Sequence, residues 1–204
     1  KTASPPIGTL MIFDRSDRAQ QLRLRQVFRD LKIHRNAIVA DVGAGIGWLT
    51  TRLAKFIGPK GKVYAEDIVS RYISYIDKEI KTHKLNNVET ILGSTTDPKL
   101  PKNTLDAVII LNAYHEFEKP ITMLTKIRQA MKIGARLGIL YRDNDQMRID
   151  ARKAYATTGY ILHRINETLT NIYLTSDHYL ALDIVVILYN VAFYTTDEYW
   201  IIQN

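Results

Sequence analysis

The chain has 204 residues, of which 46% are hydrophobic and 24% charged, the composition of an ordinary globular domain. No apolar run approaches the roughly 18 residues that span a bilayer, and the lack of cysteine excludes disulfides, thiol catalysis and thiolate metal sites. The net charge of +7 is concentrated in residues 1–142, which carry 24 basic and 13 acidic side chains. Such a basic body indicates solvated helices or, alternatively, a surface for an anionic partner such as nucleic acid.

Residues 1–35 are predicted to form an extended arm and a first helix. Asp14 or Ser16 can cap this helix, which runs to about Lys32. Its apolar residues share one face and its basic residues another: Leu24, Val27, Phe28 and Leu31, against Arg18, Arg25, Arg29 and Lys32. The pattern predicts an amphipathic helix packed on a sheet, with a basic surface for a substrate or a membrane as the alternative.

Residues 36–142 alternate predicted strands with predicted helices. Strands are expected at 37–42, 62–65, 88–92, 105–111 and 136–141, and helices at 48–56, 70–83 and 120–131. Strong helix stops and a proline in a first helical turn set several of these boundaries. Regular alternation of this kind predicts a parallel sheet with right-handed crossovers.

The alternation ends at Arg142, so residues 143–204 are predicted to be a variable segment on the substrate side. The expected elements are helices at 148–156 and 179–189 and strands at 191–195 and 199–203. The two strands would form a closing hairpin. We find no linker, and therefore expect all 204 residues to form a single domain.

A glycine-rich turn follows the first predicted strand, with glycines at 43, 45 and 47 and Asp41 just before them. Glycines allow a tight turn and a close ligand, and the following helix directs free N–H groups at it. A dinucleotide fingerprint needs its third glycine at position 48, which is Trp48, and a phosphate-binding P-loop needs a lysine that is missing here. The turn therefore predicts a nucleoside site without a pyrophosphate.

Asp67 stands at the end of the second predicted strand. An ionised carboxylate only accepts hydrogen bonds, and its two oxygens match the vicinal diol of a ribose. The sequence therefore predicts a ribose contact at Asp67, with its neighbour Glu66 as the alternative acceptor and a helix cap as the alternative role.

Three runs together resemble the motifs of class I S-adenosylmethionine-dependent methyltransferases: VADVGAGIG at 39–47, VYAEDI at 63–68 and NAYHEF at 112–117. They are most similar to the small bacterial branch akin to the ubiquinone/menaquinone-biosynthesis methyltransferases. The run FDRSDR at 13–18 also resembles the N-terminal signature of that branch. The resemblance covers about residues 13–142. It implies a three-layer, Rossmann-like α/β fold whose mostly parallel seven-stranded sheet ends in an antiparallel C-terminal hairpin strand.

The resemblance implies S-adenosylmethionine as the cofactor and S-adenosylhomocysteine as the product. The residues implied to bind it are Asp41, Gly43, Ala44, Gly45, Gly47, Asp67, Ile68, Ser94, Thr95 and Asn112. Of these, Asp41 and the glycines would hold the methionine part, Asp67 the ribose, and Ser94 with Thr95 the adenine. Many relatives carry an aspartate at position 94, so Ser94 leaves adenine recognition to backbone groups or to Asp97.

His115 and Glu116 are the candidate catalytic residues implied by the same motif. Methyl transfer needs a base only where the nucleophile must lose a proton. His115 comes first because the usual pKa of histidine is about 6.5, and Glu116 comes second; packing or capping of the following helix is the alternative role for both. Asp177 and His178 have no partner at metal-ligand spacing, so no metal site is expected.

The sequence therefore predicts an enzyme that methylates an oxygen, nitrogen or carbon of a small molecule. One alternative is an RNA or protein methyltransferase that uses the basic N-terminal helix, and another is a cofactor-binding regulator or scaffold without catalysis. No transmembrane segment is expected and the cytoplasm is the favoured location, although the opening Lys1 leaves room for a leader upstream. The methyl acceptor and the oligomeric state are not predicted.

Overall fold

The structure is a computed structural model that describes residues 4–11, 24–142, 183–189 and 200–202. Its elements are α1 (Ile7–Met11), α2 (Leu24–Asp30), β1 (Ile38–Val42), α3 (Trp48–Ile57), β2 (Lys62–Asp67), α4 (Ser70–Thr82), β3 (Val88–Leu92), β4 (Leu105–Leu111), a 3₁₀ turn (Tyr114–Glu116), α5 (Pro120–Ala130), β5 (Met131–Arg142), β6 (Asp183–Tyr189) and β7 (Trp200–Ile202).

Five parallel strands form the body of the sheet, in the order β3-β2-β1-β4-β5. The chain moves outward from β1 to β3 and then returns to the other side of β1 to place β4. This reversal makes a crevice at the carboxyl ends of β1 and β4, where open α/β sheets bind their ligands. The predicted Rossmann-like fold is confirmed.

Two hydrophobic clusters cover the two faces of the sheet. On one face, Val39 of β1 packs with the apolar sides of α2 and α3, including Phe28 and Leu53. On the other face, Ala40 and Val42 pack with α5. Because β1 and β4 are covered on both faces, nearly every residue in them is buried, as expected for central parallel strands.

The described part of the first predicted helix is amphipathic, as its pattern indicates. In α2, Leu24, Val27 and Phe28 are buried, whereas Arg25 and Arg29 are exposed. The predicted start of this helix lies in residues 12–23, outside the described residues.

The start of the fifth strand was predicted too late. Helix α5 ends at Ala130, and β5 begins at Met131 rather than at residue 136. Met131 pairs with Leu105, but Ala107 pairs with Arg136, so β5 carries a bulge between these two registers. Gly134, which the sequence suggests as a helix stop, lies within the bulge and has φ +78°.

The predicted helix at 179–189 is also wrong where the structure describes it. Asp183–Tyr189 is strand β6, parallel to β5, and Trp200–Ile202 is strand β7, antiparallel to β6. The run Ile-Val-Val-Ile is β-branched throughout, and such side chains favour a pleated strand over a helix. The expected helix at 148–156 and the expected strand at 191–195 lie outside the described residues.

Candidate functional site

The glycine turn between β1 and α3 has a backbone that only glycine adopts without strain. Gly43, Gly45 and Gly47 all have positive φ, at 72°, 56° and 77°. A Cβ on Gly43 would lie 2.3 Å from the Cβ of Ala113, in the loop after β4. The N–H of Ala44 donates to the carbonyl of Glu66 at 2.8 Å and holds the turn against β2. The turn is thereby packed between the ends of β2 and β4.

Asp67, the last residue of β2, reaches this turn with its carboxylate. Its Oδ2 accepts from the N–H of Gly45 at 2.8 Å, and its Oδ1 accepts from the N–H of Val69 at 2.9 Å. Burial raises the pKa of Asp67 and the charge of Glu116 adds to the rise, whereas the N–H groups of Val69 and Gly45 oppose it. Each carboxylate oxygen still has a lone pair available for a ligand hydroxyl. The structure therefore brings the predicted ribose acceptor and the glycine turn together.

Ile68 lies beside that carboxylate with half of its surface in solvent. It is 50% exposed, although its neighbours at the end of β2 are buried. An exposed branched side chain next to a buried carboxylate is a suitable surface for the apolar face of a nucleoside.

Asp41 is buried near the end of β1. Its side chain is only 1% exposed, and its Oδ2 accepts from the Thr50 hydroxyl at 2.7 Å. The carboxylate therefore lies inside the fold against α3, where it anchors the helix that follows the glycine turn.

Ser94 and Thr95 belong to a turn that follows β3. The Oγ of Ser94 accepts from the N–H of Asp97 at 3.0 Å, and the N–H of Ser94 donates to the carbonyl of Asp97 at 2.9 Å. The side chain of Ser94 is thus occupied within its own turn. Thr95 lies in the same turn and is partly exposed.

Asn112 and the 3₁₀ turn follow β4 on the other side of the glycine turn. Asn112 has φ +55°, and its N–H donates to the carbonyl of Leu140 at 2.8 Å. Glu116 is exposed and lies close enough to Asp67 for its charge to raise the pKa of that carboxyl. The backbone of His115 lies in the same turn, and its side chain is outside what the structure describes.

Glu66, the alternative ribose acceptor that the sequence suggests, is buried to a degree that the sequence did not indicate. It is 1% exposed, its Oε2 lies 3.4 Å from the N–H of Gly43, and its Oε1 has no hydrogen-bond partner among the described residues. Burial raises the pKa of Glu66 to about 8, and the charge of Asp67 adds to the rise. A strand pattern shows on which face a carboxyl lies, but only the packing around it shows that it is buried.

The described ranges hold neither a candidate metal centre nor a candidate membrane-spanning helix. They contain no group of three or more histidine, aspartate or glutamate side chains that could hold a metal ion. None of the helices in these ranges has both the length and the apolar character needed to cross a membrane.

Comparisons with known proteins agree with this geometry. Residues 39–134 match a family described as a methyltransferase domain. A solved structure described as a SAM-dependent methyltransferase from Aquifex aeolicus superposes with a TM-score of 0.62 at 27% identity, covering 67% of this chain and 72% of that one. Residues 39–134 therefore form a methyltransferase domain of the class I S-adenosylmethionine-dependent type. Its cofactor is S-adenosylmethionine.

The curated relatives of this methyltransferase differ in what they are named for. The demethylmenaquinone methyltransferase of Geobacillus stearothermophilus is 27% identical over 110 residues, 54% of this chain and 47% of that protein. The tRNA(Phe) (4-demethylwyosine(37)-C(7)) aminocarboxypropyltransferase of Methanocaldococcus jannaschii is 40% identical over 84 residues, 40% of this chain and 33% of that protein. The chain thus spans less than half the length of each of these relatives.

The residues at this edge of the sheet fit the cofactor. Among the described residues, a Cβ on Gly45 would meet only the Cδ1 of Leu10, at 4.0 Å, so the bare backbone of the turn is open to a ligand there. Asp67 offers two acceptor oxygens for a diol, and Glu66 offers a buried oxygen without a partner among the described residues. These acceptors suit a ligand that carries hydroxyl and amino donors, as S-adenosylmethionine does.

Proposed function

We propose that this methyltransferase transfers the methyl group of S-adenosylmethionine to an oxygen, nitrogen or carbon atom of a small molecule. The observation that carries the proposal is the position of Asp67, which joins the N–H groups of Gly45 and Val69 at the crevice between β1 and β4. The named activity of the Geobacillus relative supports a small-molecule acceptor.

In this proposal each predicted residue serves to hold or align. The turn from Gly43 to Gly47 receives the methionine part, with Asp41 fixing the turn from beneath through Thr50. Asp67 accepts from the ribose hydroxyls. The sulfonium of the bound cofactor supplies an already activated methyl group, so the protein mainly aligns the nucleophile.

Asn112, His115 and Glu116 complete the proposed site on the β4 side. Asn112 follows β4 directly, and its backbone is fixed through Leu140. Glu116 is exposed at the crevice, where a carboxylate can take a proton from an acceptor hydroxyl or amine. His115 is the neighbouring candidate for that role.

Transfer of a labelled methyl group tests the proposal directly. The purified protein is incubated with methyl-labelled S-adenosylmethionine and, in separate reactions, a metabolite extract, total RNA and denatured protein. We expect label in the metabolite fraction, reduced about tenfold or more by Asp67→Ala and unchanged by Glu89→Gln, which alters an exposed carboxylate paired with Lys62. Label in none of the fractions, despite cofactor binding, would instead indicate a regulator or scaffold.

An RNA or protein methyltransferase is the second candidate, because α2 presents a basic surface. Arg25, Arg29 and Lys32 are all exposed, and one curated relative is named for a tRNA. Binding of RNA through these groups would weaken steeply with salt, since phosphate contacts release counterions. Label in the RNA fraction, with a salt dependence that Arg25→Gln and Arg29→Gln reduce, would replace the small-molecule proposal.

We also propose that residues 1–204 form one methyltransferase domain with a seven-stranded sheet. Strands β6 and β7 support this by continuing the sheet beyond β5, with β7 as the antiparallel strand.

A further inference from the structure

Glu66 is a buried carboxyl to which the proposed function gives no role. The alternation of side chains along β2 directs Glu66 to the face of Tyr64, opposite the face of Val63 and Ala65. Its Oε1 has no hydrogen-bond partner among the described residues, although the side chain is almost completely buried. A buried polar atom without a partner is costly, so this oxygen indicates a polar partner that these residues do not supply.

The position of Oε1 relates it to one end of the cofactor. A Cβ on Gly93, the first residue after β3, would lie 1.8 Å from this oxygen. The other oxygen, Oε2, lies 3.4 Å from the N–H of Gly43 after β1. The Glu66 carboxyl therefore connects the glycine turn with the loop after β3. With the methionine part at the glycine turn and the ribose at Asp67, the base of the cofactor extends toward that loop.

Ser94 and Asp97, the two side chains of the loop after β3 that the sequence connects with adenine, already have partners. Ser94 Oγ is bonded to the backbone of Asp97. Asp97 Oδ1 accepts from the N–H of Lys99 at 2.8 Å, and its Oδ2 lies 3.8 Å from the ammonium of Lys126. Among the described residues, Glu66 is the carboxyl next to this loop that has a buried oxygen without a partner.

We propose that Glu66, as a neutral carboxylic acid, recognises the adenine of S-adenosylmethionine. Its carbonyl oxygen accepts from the exocyclic amino group, and its hydroxyl donates to an adjacent ring nitrogen. A neutral carboxyl presents one donor and one acceptor, which match the acceptor and donor on the edge of adenine. The contact requires a change of rotamer at Glu66 or a small shift of the turn that contains Ser94. This inference rests on the proposed function.

The surroundings of Glu66 favour its neutral form at pH 7. Burial raises the pKa of this carboxyl to about 8, and three carboxylates add to the rise: Asp67 on the same strand, Asp41 on β1 and Asp97 after β3. The N–H of Gly43 acts in the opposite direction. The hydroxyl that the proposed contact needs is therefore present at neutral pH and is lost above about pH 8.

Two ligands and two variants test the contact. S-adenosylhomocysteine and its 6-deamino analogue, in which hydrogen replaces the amino group, are titrated into wild type, Glu66→Gln and Glu66→Leu by calorimetry at pH 7. Loss of one hydrogen bond to the base is expected to weaken binding about tenfold. Wild type and Glu66→Gln should therefore prefer the adenine ligand about tenfold, because the amide also offers a donor and an acceptor. Glu66→Leu should bind both ligands within about threefold of each other.

A pH series gives a second readout with a matched control. Wild type should bind both ligands more weakly as the pH rises from about 7 to about 9.5, because the ring nitrogen that both ligands carry loses its donor, and Glu66→Gln, which cannot ionise, should keep its affinity. Thermal unfolding checks that each variant is folded, and the isosteric glutamine variant carries the test alone if Glu66→Leu is not. An adenine preference that the residue at position 66 does not alter, or the same pH dependence of affinity in wild type and Glu66→Gln, would overturn the inference. Absence of S-adenosylhomocysteine binding to wild type would contradict the proposed function itself.

Discussion

Asp67 and Glu66 are consecutive residues that the end of β2 separates onto opposite faces. Asp67 receives two backbone N–H groups, which oppose the effect of burial on its pKa, whereas Glu66 receives one long contact from Gly43. Glu66 therefore carries the larger penalty for ionisation, and its pKa rises to about 8. Two neighbouring carboxyl groups thus have different proposed roles: Asp67 is the acceptor for the ribose, and Glu66 is a neutral acid.

The stability of the protein should depend on pH, because the pKa of Glu66 is higher in the folded chain than in the unfolded chain. An acid whose pKa is higher when folded binds its proton more tightly in the native state, so stability is lost as the pH rises from about 4.5 through about 8. Glu66→Gln removes this loss. Its free energy of unfolding, relative to wild type, should rise by roughly 4 kcal/mol between about pH 5 and about pH 9. Urea unfolding at constant ionic strength measures it, and parallel pH profiles would show that Glu66 titrates normally.

At the scale of elements, the site depends on how closely the turn after β1 approaches the loop after β4. Gly43 and Ala113 meet where any additional methyl group would overlap. This contact holds the turn after β1 against the loop after β4, and it explains why Gly43 is needed for packing as well as for its φ of +72°.

Gly43→Ala should reduce the free energy of unfolding by about 2 to 4 kcal/mol, because it combines left-handed backbone strain with a steric overlap. Gly134→Ala is the matched control: Gly134 has φ +78° with nothing within 4 Å of an added Cβ, so only the strain of about 1 kcal/mol should remain. Adding Ala113→Gly to Gly43→Ala should remove the steric overlap, so the loss of stability should fall to that of Gly134→Ala. Equal losses for the two glycines in urea unfolding would show that the overlap with Ala113 is relieved elsewhere.

The elements of residues 36–130 follow closely from the sequence, because buried apolar runs and strong helix stops coincide there. Gly134 misled the prediction of β5, since strand pairing with β4 begins at Met131 and continues past a bulge. The helix expected at 179–189 failed because its spacing of apolar residues also suits a buried strand. In the site, the motif places Asp67 next to the glycine turn, and the structure shows them in contact. The burial of Glu66 depends on the close approach of Gly93, and no local sequence pattern indicates that approach.

At the scale of the whole molecule, the charge at the crevice is opposite in sign to the net charge of the chain. The chain carries +7 overall, yet the carboxylates of Asp41, Asp67 and Glu116 lie near the carboxyl ends of β1, β2 and β4. A local concentration of carboxyl groups favours a ligand with positive groups. S-adenosylmethionine carries such groups in its sulfonium and its ammonium.

Calorimetric titration of S-adenosylhomocysteine into wild type, Asp67→Ala and Glu89→Gln measures cofactor binding at this edge of the sheet. We predict saturable binding to wild type and to Glu89→Gln, and an affinity about tenfold or more weaker for Asp67→Ala, because the ribose hydroxyls lose a charged acceptor. The absence of binding at millimolar ligand, or equal affinities for wild type and Asp67→Ala, would contradict the placement of the cofactor on Asp67.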